Sequence, residues 1–174
     1  VTIKDHPTCV RSMDVRILGV AGGSMIRLKD NRVWKVGPRS AHIAGLKYSC
    51  FADPEELKDG KIIMIRPKEN DGEYVALECK NGLYAITNTC AANALGMIDE
   101  NDYAFGNKKS AKIAIEILAK EIGVTFIEIA QSIIQTSSFE IMKTISKIMK
   151  EFKLNPQTTK IIGGGGGASV LVPF

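Results

Sequence analysis

A chain of 174 residues, 45% hydrophobic and 24% charged, has globular proportions, and at this length a single core is expected. That balance excludes general disorder, and the longest apolar runs, Ile62 to Ile65 and Val170 to Val172, fall far short of the ~20 residues that span a bilayer. The formal charge of +4 is modest, and Lys143, Lys147, Lys150 and Lys153 recur at helical spacing as a solvated helix face, without the interleaved aromatics of a nucleic-acid binder.

The first residue is Val1, with neither an initiator Met nor a signal-peptide pattern, so the chain reads as a piece of a longer protein. Strands are predicted at Val15–Val20, Met25–Leu28 and Val33–Val36, the last two joined by the turn residues Lys29-Asp30-Asn31-Arg32. Asp53-Pro54-Glu55-Glu56 reads as a short helix start, with Pro in the first turn and acids facing the positive end of the helix dipole. Ile62–Arg66 and Tyr74–Glu78 read as strands, and Asn81-Gly82 as the hairpin turn leading into Leu83–Ile86.

A helix is predicted over Lys108–Ile122, with Ile113, Ile117, Leu118 and Ile122 on its apolar face and Gly123 as its stop. Thr125-x-x-Glu128 then supplies a capping box for a longer helix. Its stripe of Phe126, Ala130, Ile133, Ser137, Ile141, Ile145, Ile148 and Phe152 should face the core until Asn155-Pro156 breaks it. Ser137 and Ser138 are small enough to permit close approach of another element, but are most simply solvated or bonded to their own backbone.

Lys160-Ile161-Ile162 resembles a strand leading into Gly163, Gly164, Gly165, Gly166 and Gly167, five of the sixteen glycines, and then Ala168. Glycine permits positive φ and close approach of a ligand to backbone. A helix starting after Ala168 would add free N–H groups suited to a phosphate or another polar edge. Gly163, Gly165 and Ala168 satisfy G-x-G-x-x-A, but the chain ends six residues later, with no room for the rest of a dinucleotide-binding unit.

Cys9, Cys50, Cys79 and Cys90 contain no C-x-x-C pair, so zinc-cage and redox-dithiol spacings are absent and a reducing cytoplasm is expected. His6 and His42 sit in no catalytic motif, and nothing in the sequence brings either beside a cysteine. The cysteine-hydrolase reading therefore has no support.

The order of the motifs is more informative. Asp14-Val15-Arg16 through Ala21-Gly22-Gly23-Ser24, then Val36-Gly37-Pro38-Arg39-Ser40-Ala41, then Thr87-Asn88-Thr89 with Leu95-Gly96, and finally Gly163–Ala168 resemble the hydantoinase A/oxoprolinase family. There, D-[IV]-R…G-A-G-G-G-S, V-G-P-x-S-A-G, T-V-T-D-A-N…L-G and F-G-G-A-G follow one another, with two helices before the last.

The resemblance implies an α/β fold, mixed α+β within this piece, belonging to an actin-like (ribonuclease H-like) ATPase domain. Residues 11–98 would be strand-rich, 108–154 helical, and 159–174 a strand with its glycine loop. Members use ATP and Mg²⁺ to open cyclic amides, or to carboxylate ketones in related complexes. By resemblance, Gly163–Gly167 and Ala168 form the adenosine-side loop, so a side chain at Gly165 should intrude on the ligand. By the same resemblance Gly22, Gly23 and Ser24 would make a tight turn near the cleft, and a purely structural β-turn explains them equally well.

Two departures stand out. The family's P-G-P is missing after Ala41, and Thr89 is followed by Cys90-Ala91-Ala92, which lack its Asp and Asn. Residues 52–83 read as an insertion. The acidic D-x-G-G-T turns that hold phosphate and Mg²⁺ in actin-like ATPases occur nowhere here, so the remainder of a parent chain, or a second subunit or further copy, is the expected partner, alongside nucleotide and a small-molecule substrate. The alternative is a nucleotide-sensing or scaffold member of the same fold that has lost chemistry.

Overall fold

The computed structural model describes residues 2, 3, 6, 7, 15–165, 167 and 171, the first four as backbone only. β1 (Thr2–Ile3) and β2 (His6–Pro7) form a minimal antiparallel pair. Val15–Val20 is not a strand. Val15 is 66% and Ile17 94% exposed, the run pairs with no strand among the described residues, only Val20 packs half-buried against the core, and Arg16 pairs with Glu151 at 2.8 Å.

β3 (Ser24–Lys29) and β4 (Arg32–Ser40) form the expected hairpin. Its central residues Asp30 and Asn31 both take positive φ, 51° and 56°, as the tightest hairpin turns require. β5 (Lys47–Tyr48) leads into a 3₁₀ turn (Ser49–Phe51) and then α1 (Pro54–Leu57), whose Asp53 cap accepts from the Glu55 N–H.

β6 (Lys61–Ile65), β7 (Tyr74–Cys79) and β8 (Gly82–Ala85) complete a four-stranded sheet of order β5-β8-β7-β6, in which only β5–β8 is parallel. The β7–β8 turn sits one residue earlier than its Asn-Gly signal. Gly82 already pairs with Cys79, leaving Lys80-Asn81 as the connection. A single antiparallel bridge, Met25 to Thr87, joins the β3–β4 hairpin to the end of this sheet.

Three helices cover the strands. α2 (Asn88–Leu95) falls where strands were expected, and α3 spans Lys108–Ile122 as predicted, with Asn107 as its cap and Gly123 at φ 80° as its stop. The buried face of α3 is Ala111, Ala114, Ile115 and Leu118, whereas Ile113, Ile117 and Ile122 are only half-buried at its flank. Small residues set the contact line because they let α2 come close.

α4 (Phe126–Glu151) starts with the capping box. Its stripe is fully buried only through Ile129, Ala130, Ile133, Ile134 and Ser137. Beyond Ser137 the helix outruns the sheet: Ile141, Ile145 and Ile148 are half-covered, and Phe152 is 50% exposed. The helix ends at Glu151, before the Asn155-Pro156 break, with Lys153 turning it at φ 52°.

Lys160–Ile162 forms no strand. Ile161 and Ile162 are exposed, and nothing among the described residues pairs with their backbone. The sheets and helices together form a mixed α/β fold. No helix among the described residues is long and apolar enough to cross a membrane.

Candidate functional site

The site grows out of α2. Asn88 is wholly buried, and its side chain makes two bonds that a backbone alone could not. Its Nδ2 donates to the Ala21 carbonyl at 2.9 Å, and its Oδ1 accepts from the Ser137 hydroxyl of α4 at 2.8 Å. Ser137 is thus neither solvated nor bonded to its own helix. It ties α4 through Asn88 to the glycine turn at residues 21–24.

That turn is locked from other directions as well. The Ala21 N–H donates to Ser24 Oγ at 2.9 Å, the Ser24 N–H returns to Ala21 O at 3.1 Å, and Ala41 N–H donates to Gly23 O at 2.9 Å. Ser24 is 2% exposed and fastens the turn, while Gly22 and Gly23 line the cleft. Gly22 O accepts the Thr89 N–H at 2.9 Å, and Thr87 Oγ1 accepts the Cys90 N–H at 3.3 Å. These α2 N-terminal donors, the usual anion-binding groups of a helix, are therefore spent within the protein.

The opposite wall hangs from Asn93. Its Nδ2 donates to Thr89 O and Ala104 O, both at 2.9 Å, and its Oδ1 accepts the Gly106 N–H at 2.7 Å, which fixes the loop that carries Tyr103. Tyr48 and Phe51 stack at 5.7 Å between centroids with 28° between planes. The result is a cleft of ≈ 260 Å³ between Gly22 and Gly23 on one side and Tyr48, Phe51 and Tyr103 on the other.

Glycine at position 23 is required by close approach. A Cβ there would lie 1.9 Å from the Tyr48 hydroxyl. Burial first, and the nearby Cys90 and Cys50 second, push the Tyr48 phenol up, so it stays a neutral hydroxyl.

Beneath the cleft lie two thiols that no spacing in the sequence pairs. Cys50 and Cys90 are both fully buried. Burial alone would raise Cys90, but hydrogen bonds from Cys50, from Ser49 at 3.2 Å and from Thr87 at 3.3 Å outweigh it and bring its pKa down to about 6. Cys50, the donor in that pair, is pushed up. Exposed His42 makes no hydrogen bond to either, so the structure assembles no cysteine-histidine nucleophile from them.

The glycine run reaches the cleft at one described point. Gly167 stands beside Gly22, where a Cβ would lie 3.5 Å from the Gly22 nitrogen. Gly163, Gly164 and Gly165 are exposed. A Cβ on Gly164 or Gly165 meets no protein atom within 4 Å, and Gly165 takes φ 81°, so a side chain at 165 is strained by its backbone alone. Gly166 and Ala168, and the helix expected after them, lie outside the described residues. The residues the sequence reading missed are Tyr48, Phe51, Tyr103 and the two α2 asparagines. Isolated aromatics in loops carry no spacing signal, and only the fold brings them together.

The hydantoinase/oxoprolinase family model matches residues 1–174. This chain belongs to the hydantoinase/oxoprolinase family. No curated protein and no solved structure gives a match. The family match extends over the glycine turn, α2 and the glycine run alike, and it carries with it a cyclic-amide hydrolase-like role.

Proposed function

We propose that the cleft takes the adenosine end of ATP in an ATP-dependent cyclic-amide hydrolase, or a related carboxylase, of the hydantoinase/oxoprolinase type. The observation that carries this reading is the lining: three aromatic rings face backbone at Gly22, Gly23 and Gly167, with no charged side chain among them. Planar rings stack on aromatic faces, and glycine backbone lets a purine or ribose edge approach closely. A volume of ≈ 260 Å³ is below the ~300 Å³ at which drug-sized pockets begin, so it suits a base with part of its sugar and not a whole triphosphate.

Phosphates and Mg²⁺ fit this lining poorly. It offers no carboxylate, the Thr89, Cys90 and Ala91 amides of α2 are already bonded, and no group of three metal-ligating side chains occurs among the described residues. The reading therefore leaves the phosphate end and the metal to the remainder of a parent chain or a second subunit. In this division the present residues bind and orient the nucleoside and exclude water from its base. When bound, ATP would supply the phosphoryl group that activates a carbonyl oxygen as a leaving group.

Calorimetric titration tests it with adenosine and ATP side by side. Comparable affinities are expected, because the phosphates gain nothing from these walls. Tyr48→Ala should weaken both by roughly ten- to a hundredfold, the worth of one base–aromatic stack of ~1–3 kcal/mol. Gly164→Ala, in open space, is the control and should leave affinity unchanged. No heat with either ligand, or binding indifferent to Tyr48→Ala, would reject the assignment.

A further inference from the structure

A second pocket lies at the far end of the β3–β4 hairpin and shares no lining residue with the glycine-turn cleft. It measures ≈ 380 Å³ and is lined by Arg27, Lys29, Arg66, Trp34, Leu28 and the Gly72-Glu73 segment. Its centre is Arg27. The guanidinium lies over the Trp34 ring at 4.8 Å and the Tyr74 ring at 5.5 Å. Gly72 makes room for it, since a Cβ there would fall 2.0 Å from Arg27 Nη2.

Charge in this pocket does not balance. Three cations face a single lining acid, Glu73, whose carboxylate is 3.4 Å from Arg66. The neighbouring Asp71 is held by both guanidinium arms of Arg39, at 2.7 and 2.6 Å. Arg27 pairs with no carboxylate among the described residues, and its Nε is buried with no hydrogen-bond partner. Aromatic rings compensate a guanidinium across its faces but leave its edge donors unsatisfied, and an unsatisfied buried donor is costly. The group that satisfies such a fork best is a planar or tetrahedral oxyanion accepting two parallel N–H bonds.

We propose that this hairpin pocket binds the oxyanion, carboxylate or phosphate, of a small organic anion whose apolar body rests on Trp34 and Leu28. Arg27 and Arg66 hold the oxyanion, and Glu73 competes with it for Arg66. The proposal stands independently of the nucleotide reading, because no residue is common to the two sites.

Trp34 is the only tryptophan of the chain and touches Arg27, so its fluorescence reports on this pocket directly. The 174-residue chain is titrated with inorganic phosphate and, separately, with butyrate, at ionic strength held constant by sodium chloride. A saturable change is expected. Saturation by phosphate alone marks a phosphate-bearing ligand, by butyrate alone a carboxylate, and by both a general oxyanion site.

Arg27→Gln should weaken binding by roughly tenfold or more, the loss of a charge-assisted hydrogen bond. Because Arg27 also packs between two rings, Glu73→Gln supplies a test that spares the fold. It frees Arg66 at an exposed position and should tighten binding by about two- to fivefold. The proposal is overturned if neither anion saturates, or if saturation is unaltered in Glu73→Gln.

Discussion

Replacing Asn88 by alanine should loosen both the fold and the cleft, by amounts the geometry sets. The side chain is fully buried and bridges the Ala21 carbonyl at 2.9 Å and the Ser137 hydroxyl at 2.8 Å. Its removal leaves the buried Ser137 hydroxyl unpaired, while the Ala21 carbonyl keeps the Ser24 N–H, so a loss of about 1–3 kcal/mol is expected. Against a total stability of ~5–15 kcal/mol this is appreciable, and for a chain of this size it lowers Tm by roughly 2–12 °C. Ser137→Ala should cost only about 1–2 kcal/mol, because Asn88 keeps its bond to Ala21.

The double variant is the sharper measurement. Once Asn88 is gone, the Ser137 hydroxyl is an orphan, and deleting it as well should return part of the cost. Non-additivity of about 1 kcal/mol in urea unfolding is expected. Additive effects, or an Asn88→Ala variant within 0.5 kcal/mol of the parent chain, would refute the relay from α4 through α2 to the glycine turn.

Two further outcomes follow from the same region. Gly23→Ala should displace the Tyr48 ring, since its methyl would sit 1.9 Å from the Tyr48 hydroxyl, and abolish calorimetric binding of adenosine while the thermal melt shifts little; Tyr48→Phe in that background should restore part of the binding, and no rescue would place the clash elsewhere. Cys90, lowered to about 6 in the fold against ~8.5 in the unfolded chain, binds fewer protons when folded, so its contribution is present above the unfolded value and lost as pH falls through 6. Unfolding free energy should therefore rise from pH 6 to about 8.5, by as much as ~3 kcal/mol, and then decline above it as the raised Cys50 opposes ionisation only in the fold. Cys90→Ala should flatten the rise, and an equal slope in both proteins would show that Cys90 is not a thiolate.

Much of the framework was legible because the signals were local. Asp30-Asn31 in a two-residue turn, Thr125 with Glu128 in a capping box, and Gly123 at a helix stop each act within one turn of chain, and each stands where it was expected. The misreadings at Val15–Val20 and Lys160–Ile162 have one cause. Short apolar runs signal a strand only where another strand accepts their backbone, and these two find none among the described residues. Along α4 the stripe was read at its full length, but full burial stops at Ser137, and only partial cover, as at Ile141, continues beyond it. Periodicity fixes a face and says nothing about how far the neighbour extends.

α2 shows why the heart of the site was hidden. Its sequence, Asn88-Thr89-Cys90-Ala91-Ala92-Asn93-Ala94-Leu95, has no polar and apolar halves, because every residue from Asn88 to Ala94 is buried. A helix enclosed on all sides has no solvent face to give it a period, and its only marks are Thr87 at the start and Gly96, at φ 72°, past the end. The same enclosure explains its composition. Alanines 91, 92 and 94 let α3, α4 and the sheet close around it, and the two asparagines are tolerated in the core because each is fully bonded, Asn88 to the glycine turn and Asn93 to the Tyr103 loop. The cleft walls are thus set by side chains that lie outside its lining, and the family's Asp and Asn missing after Thr89 are replaced by Cys90 and Ala92, both inside the core. Whatever those two do in relatives, at these positions the present chain uses packing and a buried thiol to hold the walls apart.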